Sequence, residues 1–240
     1  MDEINIFAGL SLGIIAGALL GSFAFPMKKI KSWQWENTWI MYSFWALIIL
    51  PSVLAFLSVP NFFSIYGNVP INVLLLVLLF GAAWGVANIG FGLSIKMLGL
   101  ALATAIVLGL NNAIGAILPI ILFSPEELNT PSGLGIIAGV IAMIIGIAIC
   151  AVAGNKKDKA LKTRNEQVKI PGSTFLKGLL IALIAGVMGA MLNFALIAGK
   201  PLEDEAIQLG ATTLNAANPT WVIALLGGFI ITLAYCIYLF

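Results

Sequence analysis

The 240 residues predict an all-α polytopic membrane protein: about seven transmembrane helices, laid out as one five-helix repeat followed by the first two helices of a second, inverted copy. Three observations carry this expectation. Apolar residues make up 61% of the chain and charged residues 9%, against roughly 25% charged in a soluble domain. Nearly all basic residues fall on alternate connections between apolar stretches. Small residues recur on one helical ridge at two places, 169 positions apart.

Crossing about 30 Å of hydrocarbon at about 1.5 Å per residue takes about 20 residues. Seven stretches qualify: Ile6 to Phe25, Thr38 to Val59, Ile71 to Ile95, Leu100 to Phe123, Gly133 to Ala153, Leu176 to Ala198 and Thr220 to Phe240. The first is not a cleavable signal, because Asp2 and Glu3 stand where a basic n-region belongs. Pro51 and Pro119 are expected to bend the second and fourth spans. The charged segment Gly154 to Phe175, closed by Pro171-Gly172, reads as a linker. The expected organisation is therefore residues 1–155 as the first repeat, 156–175 as a cytoplasmic linker and 176–240 as the start of the second repeat.

Charge placement orients these spans. With the N-terminus external, the cytoplasmic connections hold Lys28, Lys29, Lys31, Lys96, Lys156, Lys157, Lys159, Lys162, Arg164, Lys169 and Lys177, eleven of the twelve basic residues. Only Lys200 falls outside, while Asp2, Glu3, Glu126, Glu127, Glu203, Asp204 and Glu205 are external. Since the bias is read by the insertion machinery, a net charge of +2 gives no reason to expect a nucleic-acid partner; the partner is the lipid bilayer. Cys150 and Cys236 lie in spans without metal-ligand spacing. There is no His, no HExxH, no P-loop and no GxSxG, so no metal, cofactor or enzymatic chemistry is expected.

The repeat rests on the first and sixth spans. Gly9, Gly13, Gly17 and Gly21 occupy every fourth position of one; Gly178, Ala182, Gly186 and Ala190 are the same positions plus 169 in the other. Five spans separate the two starts, an odd number, so the second copy enters from the opposite side. Small-xxx-small ridges also occur in any close-packed bundle, which is the competing explanation. A five-plus-five repeat implies ten spans, and this chain ends on AYCIYLF, apolar to its last residue and without a basic anchor. The expectation is a piece of a longer protein that lacks the last three helices, with a natural seven-span protein as the alternative.

Three stretches carry a resemblance: FPMKKIKSWQWENTW (Phe25 to Trp39), LFGAAWGVANIGFGLSIKMLG (Leu79 to Gly99) and AGKPLEDEAIQLG (Ala198 to Gly210). With Pro26, Lys28, Lys29, Lys31, Trp33, Trp35 and Glu36 in the first, Gly81, Trp84, Gly85, Asn88, Gly92 and Gly99 in the second, and Lys200-Pro201 in the third, the chain resembles the L-rhamnose/proton symporter family of the drug/metabolite transporter superfamily. That resemblance implies a ten-helix permease of the bacterial inner membrane importing a deoxysugar with protons.

The residues themselves agree in kind. Trp84 and Asn88, at i and i+4, leave one face of an apolar helix one turn apart. An aromatic face accepts the C–H face of a pyranose, and a carboxamide offers donors and an acceptor to its hydroxyls. Asn111 and Asn112 in the fourth span and Asn193 in the sixth add amides at membrane depth. The competing role for each is a bond to a neighbouring helix, worth about 0.6 to 2 kcal/mol. Because Asn111 and Asn112 are adjacent, they cannot share a face, and at least one is expected to serve packing. Trp33, Trp35 and Trp39 read as an interfacial belt, and Lys96 as a snorkelling side chain.

Proton coupling needs a titrating group facing the cavity, and no Asp, Glu or His lies inside any drawn span. The candidates are Glu36 at the cytoplasmic end of the second span, Glu203, Asp204 and Glu205 outside the sixth, or a residue in the absent helices. Two other functions compete with monosaccharide uptake. Export of cationic drugs or metabolites needs a membrane-embedded carboxylate, which the first span lacks. A non-transporting membrane subunit would not need several amides at membrane depth.

Overall fold

The computed structural model describes residues 6–22, 30, 33–164 and 172–239. The sequence readings that rest on Asp2, Glu3, Lys28, Lys29, Lys31, Lys169, Pro171 and Phe240 lie outside the described residues. The described residues contain helices and no strand. Six of the helical stretches are long and apolar enough to cross a membrane, so the chain is a multi-pass membrane protein.

The first expected span is described over α1, Ile6–Ser22, 17 residues, of which Gly9–Leu19 is an apolar helical stretch. The remainder of the expected span, residues 23–25, is outside the described set.

The second span is one rod of three parts: α2 (Trp35–Ser43), a π-helical segment (Phe44–Ile49) and α3 (Leu50–Ser58). Proline explains the middle part. Pro51 has no N–H to offer the carbonyl four residues back, and the ladder before it widens, with Leu50 N–H donating to the Trp45 carbonyl five residues back. The expected bend is thus a change of helical pitch. Pro119, by contrast, sits inside the uninterrupted α6. A short α4 (Phe62–Asn68) leads into α5 (Ile71–Leu98), which Gly99 (φ 85°) joins to α6 (Leu100–Phe123) in a one-residue turn. A left-handed φ costs glycine nothing, which is why so tight a reversal is possible there.

After a 3₁₀ turn at Pro125–Asn129, α7 (Pro131–Arg164) runs 34 residues without a break. The front half of the expected linker is therefore helical. Between Gly154 and Arg164 the chain holds Lys, Ala and Leu and no further glycine or proline, so the helix has no reason to stop at the end of the apolar stretch. The sixth span is segmented into α8 (Gly172–Gly189), α9 (Met191–Ala198) and α10 (Lys200–Gln208), parted by single residues at Ala190 and Gly199. At the first break Ala190 N–H bonds Val187 O and Asn193 N–H bonds Ala190 O, both three-residue closures. The last helix is α11 (Asn218–Leu239).

α5 is the centre of the bundle and packs on α6, α8, α9 and α11. Its crossing with α11 is backbone on backbone: a Cβ on Gly81 would strike the Ala224 carbonyl, one on Gly85 would lie 2.7 Å from the Gly228 carbonyl oxygen, and one on Gly227 would strike the Leu78 carbonyl. Two buried clusters hold the ends. Phe91, Leu98, Leu102, Ala103, Ile106, Val107, Ala182 and Ala185 pack toward the Lys96 end; Val59, Ile65, Val69, Val77, Ala195, Leu202, Ala206 and Ala224 are among those at the other.

The two small-residue ridges behave differently. In α8, Gly178 faces Met97 and Leu98, Gly186 faces Leu110, and Ala182 and Ala190 are fully buried. In α1 a Cβ on Gly9, Gly13 or Gly17 would meet no described atom within 4 Å. A small-residue pattern says how closely a neighbour can come, not whether one is there.

Candidate functional site

α5 brings Trp84, Ala87, Asn88 and Phe91 to one face, as positions spaced three and four apart must. Across from it, α6 supplies Val107, Leu108 and Asn111, α8 supplies Ala185 and Gly189, and α2 supplies Tyr42. Together they enclose a cavity of about 170 Å³. Phe91, Val107 and Ala185 belong to the buried cluster toward the Lys96 end and form the apolar floor. Trp84, Asn88, Asn111 and Gly189 lie on the opposite side of that floor in chain direction on their helices.

The polar groups in this cavity are one indole, one phenol and two carboxamides. Among the described residues neither Asn88 nor Asn111 spends its side chain on a protein hydrogen bond, whereas other polar side chains inside the bundle do: Ser94 bonds Phe91 O, Thr220 bonds Gly199 O and Thr232 bonds Gly228 O. An amide that bonds no protein group is open to a polar ligand. Among the described residues, none of those lining the cavity carries a carboxylate or an ammonium group.

Of the five residues singled out for binding, the fold brings together Trp84, Asn88 and Asn111. Asn112 is exposed and is not among the residues that line the cavity. Asn193, on α9, is laid over Gly115 of α6, where a Cβ would strike its amide nitrogen; it is a helix-contact residue outside the lining set. The three acidic candidates lie elsewhere too. Lys200 holds Glu203 at 3.3 Å and Asp204 at 3.1 Å along α10, and Asn68 on α4 donates to Glu205 at 2.7 Å. Glu36, half-buried, starts the second span six residues before Tyr42, which is about 9 Å along a helix axis.

Sequence reasoning missed Tyr42 and Gly189. Tyr42 stands among the tryptophans of the expected belt, yet Trp39 is 5% exposed and its ring lies 5.5 Å from that of Tyr42. Trp39, Ser43 and Leu47 form the buried face of this rod, and α11 covers it, so Trp39 packs inside the bundle instead of serving in a belt, while Trp33 is half exposed. Gly189 marks the break between α8 and α9: a Cβ there would sit 3.0 Å from Asn111 Cγ, so glycine lets the amide reach the cavity wall. Both backbone irregularities, the π segment after Tyr42 and the break at Ala190, adjoin the cavity. Non-helical backbone at membrane depth is tolerated where it is buried in protein or lines a polar space.

The family model for the L-rhamnose-proton symport protein, RhaT, matches residues 2–240. The chain is 35% identical over 233 residues to L-rhamnose-proton symporters of Yersinia pestis bv. Antiqua (strain Antiqua), Yersinia pestis (strain Pestoides F) and Yersinia pseudotuberculosis serotype O:3 (strain YPIII), covering 96% of this chain and 66% of each relative. The chain thus spans just under two thirds of the length of these relatives. No solved structure matches it.

Proposed function

We propose a function that proceeds from one established fact: the chain belongs to the L-rhamnose-proton symport protein family. It is a family of transporters rather than enzymes. The reading is that this protein takes part in uptake of a monosaccharide, L-rhamnose or a close relative, together with protons across the bacterial inner membrane. The single observation that carries it is the cavity between α2, α5, α6 and α8, with an indole beside two carboxamides that bond no side chain or backbone group among the described residues. Its volume of about 170 Å³ lies well below the roughly 300–1,000 Å³ of sites for drug-sized ligands, so a single small ring suits it.

In this reading the sugar's C–H face lies on Trp84, its hydroxyls bond Asn88, Asn111 and the Tyr42 phenol, and the ring leaves toward one membrane face at a time. Access alternates between the two membrane faces as two inverted five-helix halves move against one another. The N-terminus is external, which places Lys96, Lys156 and Lys177 in the cytoplasm. Glu36 is the coupling group we favour, because Asp204 and Glu205 are tied into contacts of α10 while Glu36 starts the rod that carries Tyr42. Drug or metabolite export of cations is less well supported, since none of the described lining residues is a carboxylate.

The test is uptake of labelled L-rhamnose and other sugars into vesicles holding the full-length protein, with and without a proton gradient. Uptake that the gradient drives, and that Trp84→Ala or Asn88→Ala weakens without unfolding, supports the proposal. Normal sugar affinity in both variants removes the cavity from it.

A further inference from the structure

We propose that Gly228, on a helix that gives the cavity no side chain, is a positioning residue: it sets where the Trp84 indole lies and through it the affinity for the sugar. This rests on the cavity reading above. α11 passes behind α5, and the benzo ring of Trp84 is laid on the bare backbone of Gly228. A Cβ at Gly228 would stand 2.7 Å from Trp84 Cε3 and 2.8 Å from Cζ3. Ordinary contact begins at 3.4 Å, so a single methyl group asks for a displacement of 3.4 − 2.7, or 0.7 Å.

The helices are not free to supply it. Gly81 meets the Ala224 carbonyl, Gly227 meets the Leu78 carbonyl, and the position of a Gly85 Cβ lies 2.8 Å from Gly228 Cα, so the two backbones are already in contact on both sides of the indole. Moving them apart would also open the contact with Ala224, which is fully buried. The side chain is the softer element, and Trp84 also lines the cavity of about 170 Å³, to which no described residue of α11 is a lining neighbour. A methyl group at position 228 therefore drives the indole into the volume that the sugar would fill. A site held to about 0.5 Å loses its complementarity under such a shift, and an affinity loss on the order of tenfold is expected.

The experiment uses the full-length protein and labelled L-rhamnose, with Gly228→Ala, Trp84→Phe, Trp84→Ala and the Gly228→Ala/Trp84→Phe double variant, each measured for sugar affinity and for thermal stability. Phenylalanine lacks the ring that bears Cε3 and Cζ3. The expected result is that Gly228→Ala weakens binding on the order of tenfold when residue 84 is Trp and has no further effect in the Trp84→Phe background. If Gly228→Ala gives no folded protein, Trp84→Phe is expected to restore it, and failure to restore it overturns the proposal. An equal loss of affinity in both backgrounds, or lowered stability with unchanged affinity, overturns it as well. Trp84→Ala that leaves affinity intact overturns the cavity reading and this inference with it; Trp84→Ala that weakens binding while Gly228→Ala does not overturns this inference alone.

Discussion

Replacing Gly81 with alanine adds one methyl group where α5 crosses α11. That methyl would strike the Ala224 carbonyl oxygen and lie 2.6 Å from its carbon and 2.8 Å from Cα, all backbone atoms without rotamers to yield. Relief requires the helices to part by at least 3.4 − 2.6, or 0.8 Å, to clear the carbonyl carbon alone, and by more to clear its oxygen. A radial gap of about 0.5 to 1 Å forfeits a quarter to a half of each dispersion contact across it. Overpacking of this kind costs about 1 to 3 kcal/mol, and rigid opposing atoms put Gly81→Ala in the upper part, about 2 to 3 kcal/mol. Helix propensity does not offset this: alanine's advantage of about 1 kcal/mol over glycine applies when a helix forms from coil, whereas a membrane helix stays formed when its tertiary contacts are lost. The control is Gly13→Ala in α1, where the added methyl meets no described atom within 4 Å and the expected change is near zero. Reversible unfolding of the purified protein in mixed micelles measures both. Gly81→Ala is expected to lower the folded-to-unfolded ratio roughly 30- to 150-fold relative to Gly13→Ala. Equal stability of the two variants would refute the claim that glycine is required by the crossing.

Asn111→Ala is expected to weaken sugar binding in the full-length protein by roughly 5- to 150-fold, corresponding to about 1 to 3 kcal/mol for an amide that pairs with the ligand, with Asn112→Ala leaving affinity unchanged; comparable effects from the two would remove Asn111 from the site. Tyr66 donates its hydroxyl to Pro219 O at 3.1 Å, and burial pushes the phenol's pKa upward, so the neutral form is favoured in the fold. Its contribution is therefore complete below the ordinary phenol value of 10.0 and lost as pH rises above it. Tyr66→Phe should cost about 0.5 to 1.5 kcal/mol at neutral pH and flatten that alkaline loss, which chemical denaturation at pH 8 and pH 11 would show. Glu126→Cys is expected to react with an impermeant thiol reagent in intact cells and Lys156→Cys only after permeabilisation; the reverse pattern overturns the orientation.

Hydropathy and charge spacing determined, from the sequence alone, that the chain is helical and where six of its long helices run, because water-to-lipid transfer acts on each stretch through its own composition. The pairing of Trp84 with Asn88 was legible for the same reason, since four residues make one helical turn whatever surrounds it. Only the tertiary structure decided what each helix face meets. Small-residue ridges of the same spacing end up packed in α8 and, among the described residues, without a neighbour in α1. Of two adjacent amides, Asn111 turns into the cavity and Asn112 away, a choice made by the rotation of α6 against α5 and α8. Asn193 shares the chemistry of Asn88 yet is laid over Gly115, and Tyr42 enters the site because the face of α2 bearing Trp39 and Ser43 packs on α11. Helix rotation and crossing distance depend on contacts between residues far apart in the chain, such as Gly81 with Ala224 and Trp84 with Gly228, and no local pattern within either helix encodes which partner will come to rest against it.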